Sequence, residues 1–191
     1  MLIKRLIPVL AATLVMAGCA ISPQQIAVEP GTDESFPSAA SSGITVSVET
    51  NDTRESSELG SLGGTYDETS ALTATNDIAA DLGAVISDKL TEAGYDVVDG
   101  DAQFRMVITL TELSYVREPG TLSSEVRVVA DMDMRIEDDN GFLERSYRSG
   151  SNQTRITRPS EANNKMFLEE ALNDSLSRLV RDQRLHTFLS R

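Results

Sequence analysis

The chain has 191 residues, 40% of them apolar and 5% aromatic, with 17 basic against 30 acidic side chains and a formal charge of −13. That balance repels polyanions, which disfavours nucleic acid and anionic lipid head groups as direct ligands. A single cysteine excludes a disulfide framework, a single histidine leaves a metal centre short of ligands, and the absence of tryptophan takes away a stacking platform for sugars or bases.

At the N-terminus Lys4 and Arg5 precede an apolar run from Leu6 to Met16, which ends in Ala17-Gly18-Cys19. A positive start, a short apolar stretch and small residues at a cleavage point make a secretory signal. The run contains Pro8 and falls well short of the roughly 20 residues that a spanning helix needs. Met16-Ala17-Gly18-Cys19 resembles the lipobox of bacterial lipoproteins, with Met16 standing where Leu is most frequent. The resemblance implies that residues 1–18 are removed, that the Cys19 thiol receives a diacylglycerol and that the freed amine is acylated, palmitate being the typical chain. Several chains anchor stably where one holds only marginally. Ala20 follows the cysteine, and in lipoproteins this position implies release to the outer membrane, facing the periplasm, since Asp there usually retains the protein at the inner membrane. Loss of Lys4 and Arg5 leaves the mature chain with 15 basic and 30 acidic residues, a net of −15.

Residues 19–43 comprise the lipidated cysteine and a stretch of Ser, Pro, Ala and acids with no apolar period, read as a flexible tether of about 25–30 Å reach. Residues 44–191 are expected to form one periplasmic domain. Ile44 to Val48 alternates apolar and polar residues and predicts a strand. Asn51 to Thr69, with Gly60, Gly63 and Gly64, predicts a polar loop. From Thr75, the expected N-cap, Ile78, Ala79, Leu82, Val85, Ile86, Leu90 and Ala93 form one helical stripe that stops at Gly94. Gly83 within it points to close approach of a neighbour.

Phe104, Met106, Ile108 and Leu110 then alternate with polar residues, and Leu113 and Tyr115 continue on the other parity, which predicts a bulge between Thr111 and Leu113. Pro119-Gly120 marks a turn. Val126, Val128, Ala130, Met132, Met134 and Ile136 alternate against Arg127, Asp131, Asp133, Arg135 and Glu137. A four-residue loop Asp138-Asp139-Asn140-Gly141, which is the expected one, sets Glu137 opposite Phe142 and also brings Arg135 to Glu144, Ile136 to Leu143 and Asp131 to Arg148. The alternative Asn-Gly turn would oppose Glu137 and Glu144, a like-charge pair. Pro159-Ser160 opens a second helix with Met166, Leu168, Ala171, Leu172, Leu176, Leu179 and Val180 inward, and Asp182 to Leu189 forms a short third one. The order β-α-β-β-β-α plus a short C-terminal helix predicts a two-layer α+β domain, an antiparallel sheet of about four strands with both main helices on one face.

The residues give no catalytic cluster, cofactor motif or metal site. His186 is an ordinary helix residue without partners for a triad. Gly60-Ser61-Leu62-Gly63 has the spacing of a nucleophile elbow without the strand-to-helix context that the motif requires. Asp131, Asp133, Glu137, Asp138 and Asp139 miss the calcium-loop spacing and read as a solvated strand face and turn. Arg145, Arg148, Arg155 and Arg158 are the candidates for a local basic patch and read as solvated strand positions.

Five features carry a resemblance to the YajG family of bacterial lipoproteins: Ile44 to Val48, Leu72-Thr73-Ala74-Thr75, Leu90 to Val97 with Gly94-Tyr95, Tyr147-Arg148, and Phe188-Leu189. None is catalytic, so the match lies in order and spacing. The resemblance implies an envelope lipoprotein without an assigned enzymatic activity, and the element order also resembles small lipoproteins that serve as auxiliary parts of envelope transport and assembly machines. The expected function is therefore that of a non-enzymatic accessory or binding protein of the envelope, held to the membrane through Cys19 and meeting a protein partner at an open sheet edge. The candidates for that edge are the Ile44 strand and the strand from Phe142 to Thr157. An alternative is a small-molecule or lipid-binding module that uses the Met-rich face from Met106 to Met134, and a minor alternative is an unrecognised hydrolase.

Overall fold

The computed structural model describes residues 22–63 and 70–191. Cys19, the leader before it and Gly64 lie outside the described residues. The strands are β1 (Gln24–Ile26), β2 (Thr45–Asp52), β3 (Glu58–Ser61), β4 (Ala71–Ala74), β5 (Asp96–Val97), β6 (Phe104–Pro119), β7 (Ser124–Asp138) and β8 (Gly141–Arg155). The helices are α1 (Ile78–Glu92), α2 (Glu161–Val180) and α3 (Gln183–Leu189).

The frame is the antiparallel meander β6-β7-β8, whose strands of 15 to 16 residues extend well beyond the usual length. Period-2 alternation along all of β7 buries Val126, Val128, Ala130, Met132, Met134 and Ile136. The expected bulge is present: Leu110 faces Met132 and Glu112 faces Asp131, so Thr111 is the extra residue and the inward set passes from Leu110 to Leu113 and Tyr115. The β7-β8 register is the one expected from charge pairing, with Arg135 opposite Glu144 and Asp131 opposite Arg148. The expected four-residue loop is overturned: Asp138 pairs with Gly141, so the turn is the two residues Asp139-Asn140, held by the Asp138 carboxylate accepting from the Asn140 N–H at 2.8 Å.

The expected antiparallel sheet of about four strands is overturned: the described residues form one mixed sheet of eight. Two short strands share the outer flank of β6. Its N-terminal half pairs in parallel with β2 and its C-terminal half in parallel with β3, the chain stepping between them beside the bulge. β5 extends the sheet beyond β2, while β4 and then β1 extend it beyond β3. Parallel pairing follows from the path of the chain, which leaves β2, returns through α1 and enters β6 beside it. The added strands have two to four residues, too few to show a period.

The segment expected as a polar loop contains β3, and its glycines answer to contact. Gly60 has φ +141, and a Cβ there would stand 1.8 Å from the Tyr115 carbonyl oxygen, so β3 joins β6 only because the side chain is missing. The segment expected as a tether is, from Ser22 onward, a strap across the domain. β1 pairs with β4, Ile26, Val28 and Phe36 are buried, and the Gly31 N–H donates to Asn173 of α2 at 2.7 Å. Isolated apolar residues among Pro and Ser show no period, yet these three join the same hydrophobic core as the helices and the sheet.

Both long helices cover the same sheet face. α1 is capped by Asp77, whose side chain accepts from the Ala80 N–H, and the expected cap Thr75 instead donates its N–H to Ile26. A Cβ on Gly83 would come within 3.0 Å of Thr50, which places α1 hard against β2. α2 starts at Ser160 with a capping box completed by Asn163. Its buried stripe includes Phe167, while Met166, expected inward, is 48% exposed. α3 turns back so that Phe188 meets Phe104 edge-on at 6.0 Å. Met106, Met132 and Met134 are at most 1% exposed and fill the layer between sheet and helices.

Candidate interaction surface

The sheet face opposite the helices carries a ladder of opposite charges that crosses the strands. Arg105 of β6 lies between Glu49 of β2, at 2.8 Å, and Glu137 of β7, at 3.4 Å. Glu137 also meets Arg135 at 2.9 Å, and Arg135 reaches Glu144 of β8. A second rung joins Arg148 of β8 to Asp131 at 2.9 Å and Glu112 at 3.2 Å. The hydrogen bond from Arg135, aided by Arg105, holds the Glu137 carboxyl below its usual range, and Glu49 raises Arg105 further. Exposed pairs such as these contribute little stability singly; together they set a fixed alternation of sign across the face. Between the rungs lies an open trough of about 670 Å³ lined by Val107, Thr109, Asp133, Arg135, Glu144 and Ser146. At its end Phe142 is 59% exposed with the Arg135 guanidinium 4.2 Å from its ring centre.

The outer side of β8 borders this face. β8 pairs only with β7, so among the described residues fifteen residues of strand keep one side unpaired. The two candidate edges separate here, because Val46 of β2 lies between Phe104 of β6 and Val97 of β5. The Ile44 strand is thus covered on both sides at its start, Thr45 and Val46, while the rest of its outer flank as far as Asp52 pairs only with β6 among the described residues, a shorter free side than that of β8.

Behind the sheet, polar contacts fix α2 and α3 against the strands. Asn164, fully buried, accepts from the Tyr115 hydroxyl at 2.8 Å and donates to Gln24 at 2.8 Å. Burial pushes the Tyr115 hydroxyl up to about 12. Asp182 caps α3 through the Arg184 N–H and accepts from Tyr147 at 2.9 Å and Arg145 at 3.0 Å. Burial opposes its ionisation, but these donors outweigh it and keep the carboxyl below its ordinary value. Asn164 went unnoticed in the sequence; the signal was a polar residue on the inward stripe of α2, four positions before Leu168.

The residues examined for chemistry are dispersed. The His186 ring nitrogen Nε2 lies 2.6 Å from the Val180 carbonyl, and Ser61 Oγ bonds Ser70 Oγ at 2.8 Å. Arg145 and Arg148 are bound to Asp182 and Asp131 on opposite faces, Arg155 stacks over Phe167, and Arg158 lies close enough to Tyr115 to act on its hydroxyl. Among the described residues no group of three or more His, Cys, Asp or Glu side chains is placed to hold a metal, and no helix is long and apolar enough to cross a membrane.

Residues 35–190 of the chain match a family model described as uncharacterized lipoprotein. The chain belongs to the YajG family of lipoproteins. It is 25% identical over 188 residues to the uncharacterized lipoprotein YajG of Escherichia coli K12, covering 97% of this chain and 96% of that relative. The fold of this YajG-family lipoprotein is shared with the crystal structure of protein XCC0632 from Xanthomonas campestris, at a TM-score of 0.58 and 12% identity over 87% of this chain and 97% of the other. A crystal structure of an uncharacterized protein matches at a TM-score of 0.50 and 11% identity, covering 78% and 97%. As a family lipoprotein the protein is a membrane-anchored component of the cell envelope.

Proposed function

We propose that this lipoprotein is held at the outer membrane by acyl chains on Cys19, faces the periplasm, and acts without catalysis by binding a protein of the envelope at the β8 edge and the adjoining charged face. The observation that carries the reading is the fifteen-residue strand with one side unpaired. Such an edge offers a row of N–H and C=O groups that an incoming strand satisfies. The charge ladder beside it supplies specificity, since a partner with the wrong sign pattern is repelled. Ala20 after Cys19 supports the outer membrane as the destination.

Crosslinking of the full-length lipoprotein in intact cells, with Cys19→Ala as the unanchored control, tests the proposal. A protein captured at β8 positions from the outer-membrane fraction, and lost with Cys19→Ala, supports it. Fractionation of the wild type with the inner membrane, or no protein captured along β8, would refute it.

A further inference from the structure

We infer that the occupant of the β8 edge is a second copy of this chain, paired antiparallel about a twofold axis at Ser146, with Glu144 of each copy opposite Arg148 of the other. The inference rests on the reading of β8 as a binding edge and names its partner.

The hairpin turn selects the residues that face outward. Asp138 and Gly141 close the two-residue turn Asp139-Asn140. In such a hairpin the closing pair exchanges hydrogen bonds and bonded and non-bonded pairs then alternate. The odd-numbered residues of β8 are thus engaged with β7. Phe142, Glu144, Ser146, Arg148 and Gly150 aim their N–H and C=O groups at the free edge, with their side chains on the open face.

An axis at Ser146 sets even-numbered residues opposite even-numbered ones and odd opposite odd, so each outward N–H of the even set meets an outward C=O. It also satisfies the side chains. Glu144 meets Arg148 twice over, and because Glu144 is bound to Arg135 and Arg148 to Asp131, the new pairs join the ladders of the two copies into one alternating row. Phe142 meets Gly150, a glycine that the chain itself requires because a Cβ there would stand 2.7 Å from the Val128 carbonyl oxygen, and no side chain at that position opposes the exposed ring. A strand that fits itself in this way is the requirement of a twofold interface.

The helix layer permits the same arrangement. α2 lies over β7 and β8, tied there by Ser149 to Asp174 at 2.6 Å and by Ser175 to the Tyr147 carbonyl at 2.6 Å. With strands about 4.8 Å apart, helices centred between β7 and β8 would stand at roughly 10 Å across the axis, a normal packing distance. The product is a continuous sixteen-stranded sheet with acylated cysteines on both chains and one shared charged face.

The test uses the full-length lipoprotein in native membranes. Ser146→Cys places two thiols across the axis at about the 5.5 Å Cα separation that a disulfide accepts. Mild oxidation should convert this variant to a covalent dimer, while Asn152→Cys, about 40 Å from its twin in this register, and the wild type form no covalent dimer. Glu144→Arg and Arg148→Glu should each weaken self-association about tenfold, and co-expression of the two should restore it, since the mixed pair has opposite charges at both crossings. Absence of the Ser146→Cys dimer, or no rescue in the mixed pair, would overturn the inference. A photo-crosslinker at Ser146 separates the two failures: capture of a different envelope protein leaves the edge as a binding site and removes the second copy, and capture of nothing removes both.

Discussion

The Tyr115 hydroxyl donates to Asn164 at 2.8 Å inside the core, linking the stretch of β6 beyond its bulge to the first turns of α2. Asn164 passes the link on to Gln24 of β1, so one buried amide ties together sheet, helix and strap. Replacing Asn164 with Leu leaves the Tyr115 hydroxyl without a partner. We expect a loss of about 1–3 kcal/mol in urea unfolding. Tyr115→Phe in the same background should recover part of it, and a fully additive double variant would argue that the pair is not coupled.

Gly60→Ala tests the junction between β3 and β6. The new Cβ would meet the Tyr115 carbonyl at 1.8 Å in a backbone with φ +141, and we expect a loss of at least about 2 kcal/mol from strain and clash together. Gly31→Ala, with nothing within 4 Å, serves as the neutral comparison. Equal denaturation midpoints for the two variants would contradict the close approach of the strands.

The strap is tested by Phe36→Ala. Phe36 is 4% exposed, and truncation of a buried Phe costs about 3–5 kcal/mol. A mobile tether would lose nothing. Thermal unfolding decides, because a shift of several degrees appears only if residues before Gly43 belong to the folded unit.

Acid should weaken the contact between α3 and β8. The folded value of Asp182 lies below its ordinary 3.8, so the stabilisation it provides is complete above that value and is lost as the pH falls through the lower folded one. Asp174, lowered first by the Ser149 hydrogen bond and then by Arg178, acts in the same direction. Unfolding measured from pH 6 down to pH 2 should show stability falling below about pH 4, with a shallower fall in Asp182→Asn. Parallel curves would remove Asp182 from the account.

Val46→Pro distinguishes an interior strand from an edge. Val46 is paired on both sides, so the substitution should destabilise the whole domain by about 3 kcal/mol or more. A folded, stable variant would return the Ile44 strand to the margin of the sheet.

The sequence alone determined the parts whose signal is local and repeated. Six inward residues in β7 fix its face, the change of parity after Leu110 reveals the bulge, and the charges from Asp131 to Arg148 admit one hairpin register. Helix stripes and the Ser160 cap are equally local, and the interval from Met16 to Cys19 carries the lipoprotein signature in four residues. The tertiary structure alone decided how the remainder is placed. β1, β3, β4 and β5 have two to four residues and exist because a neighbouring strand supplies their hydrogen bonds, a cause with no trace in their own composition. The same distant pairings decided that the start of β2 is covered on both sides, that Phe36 belongs to the core, and that β8 keeps a free side along its whole length, because the partner of a strand is chosen by the path of the chain in space and not by its own alternation of residues.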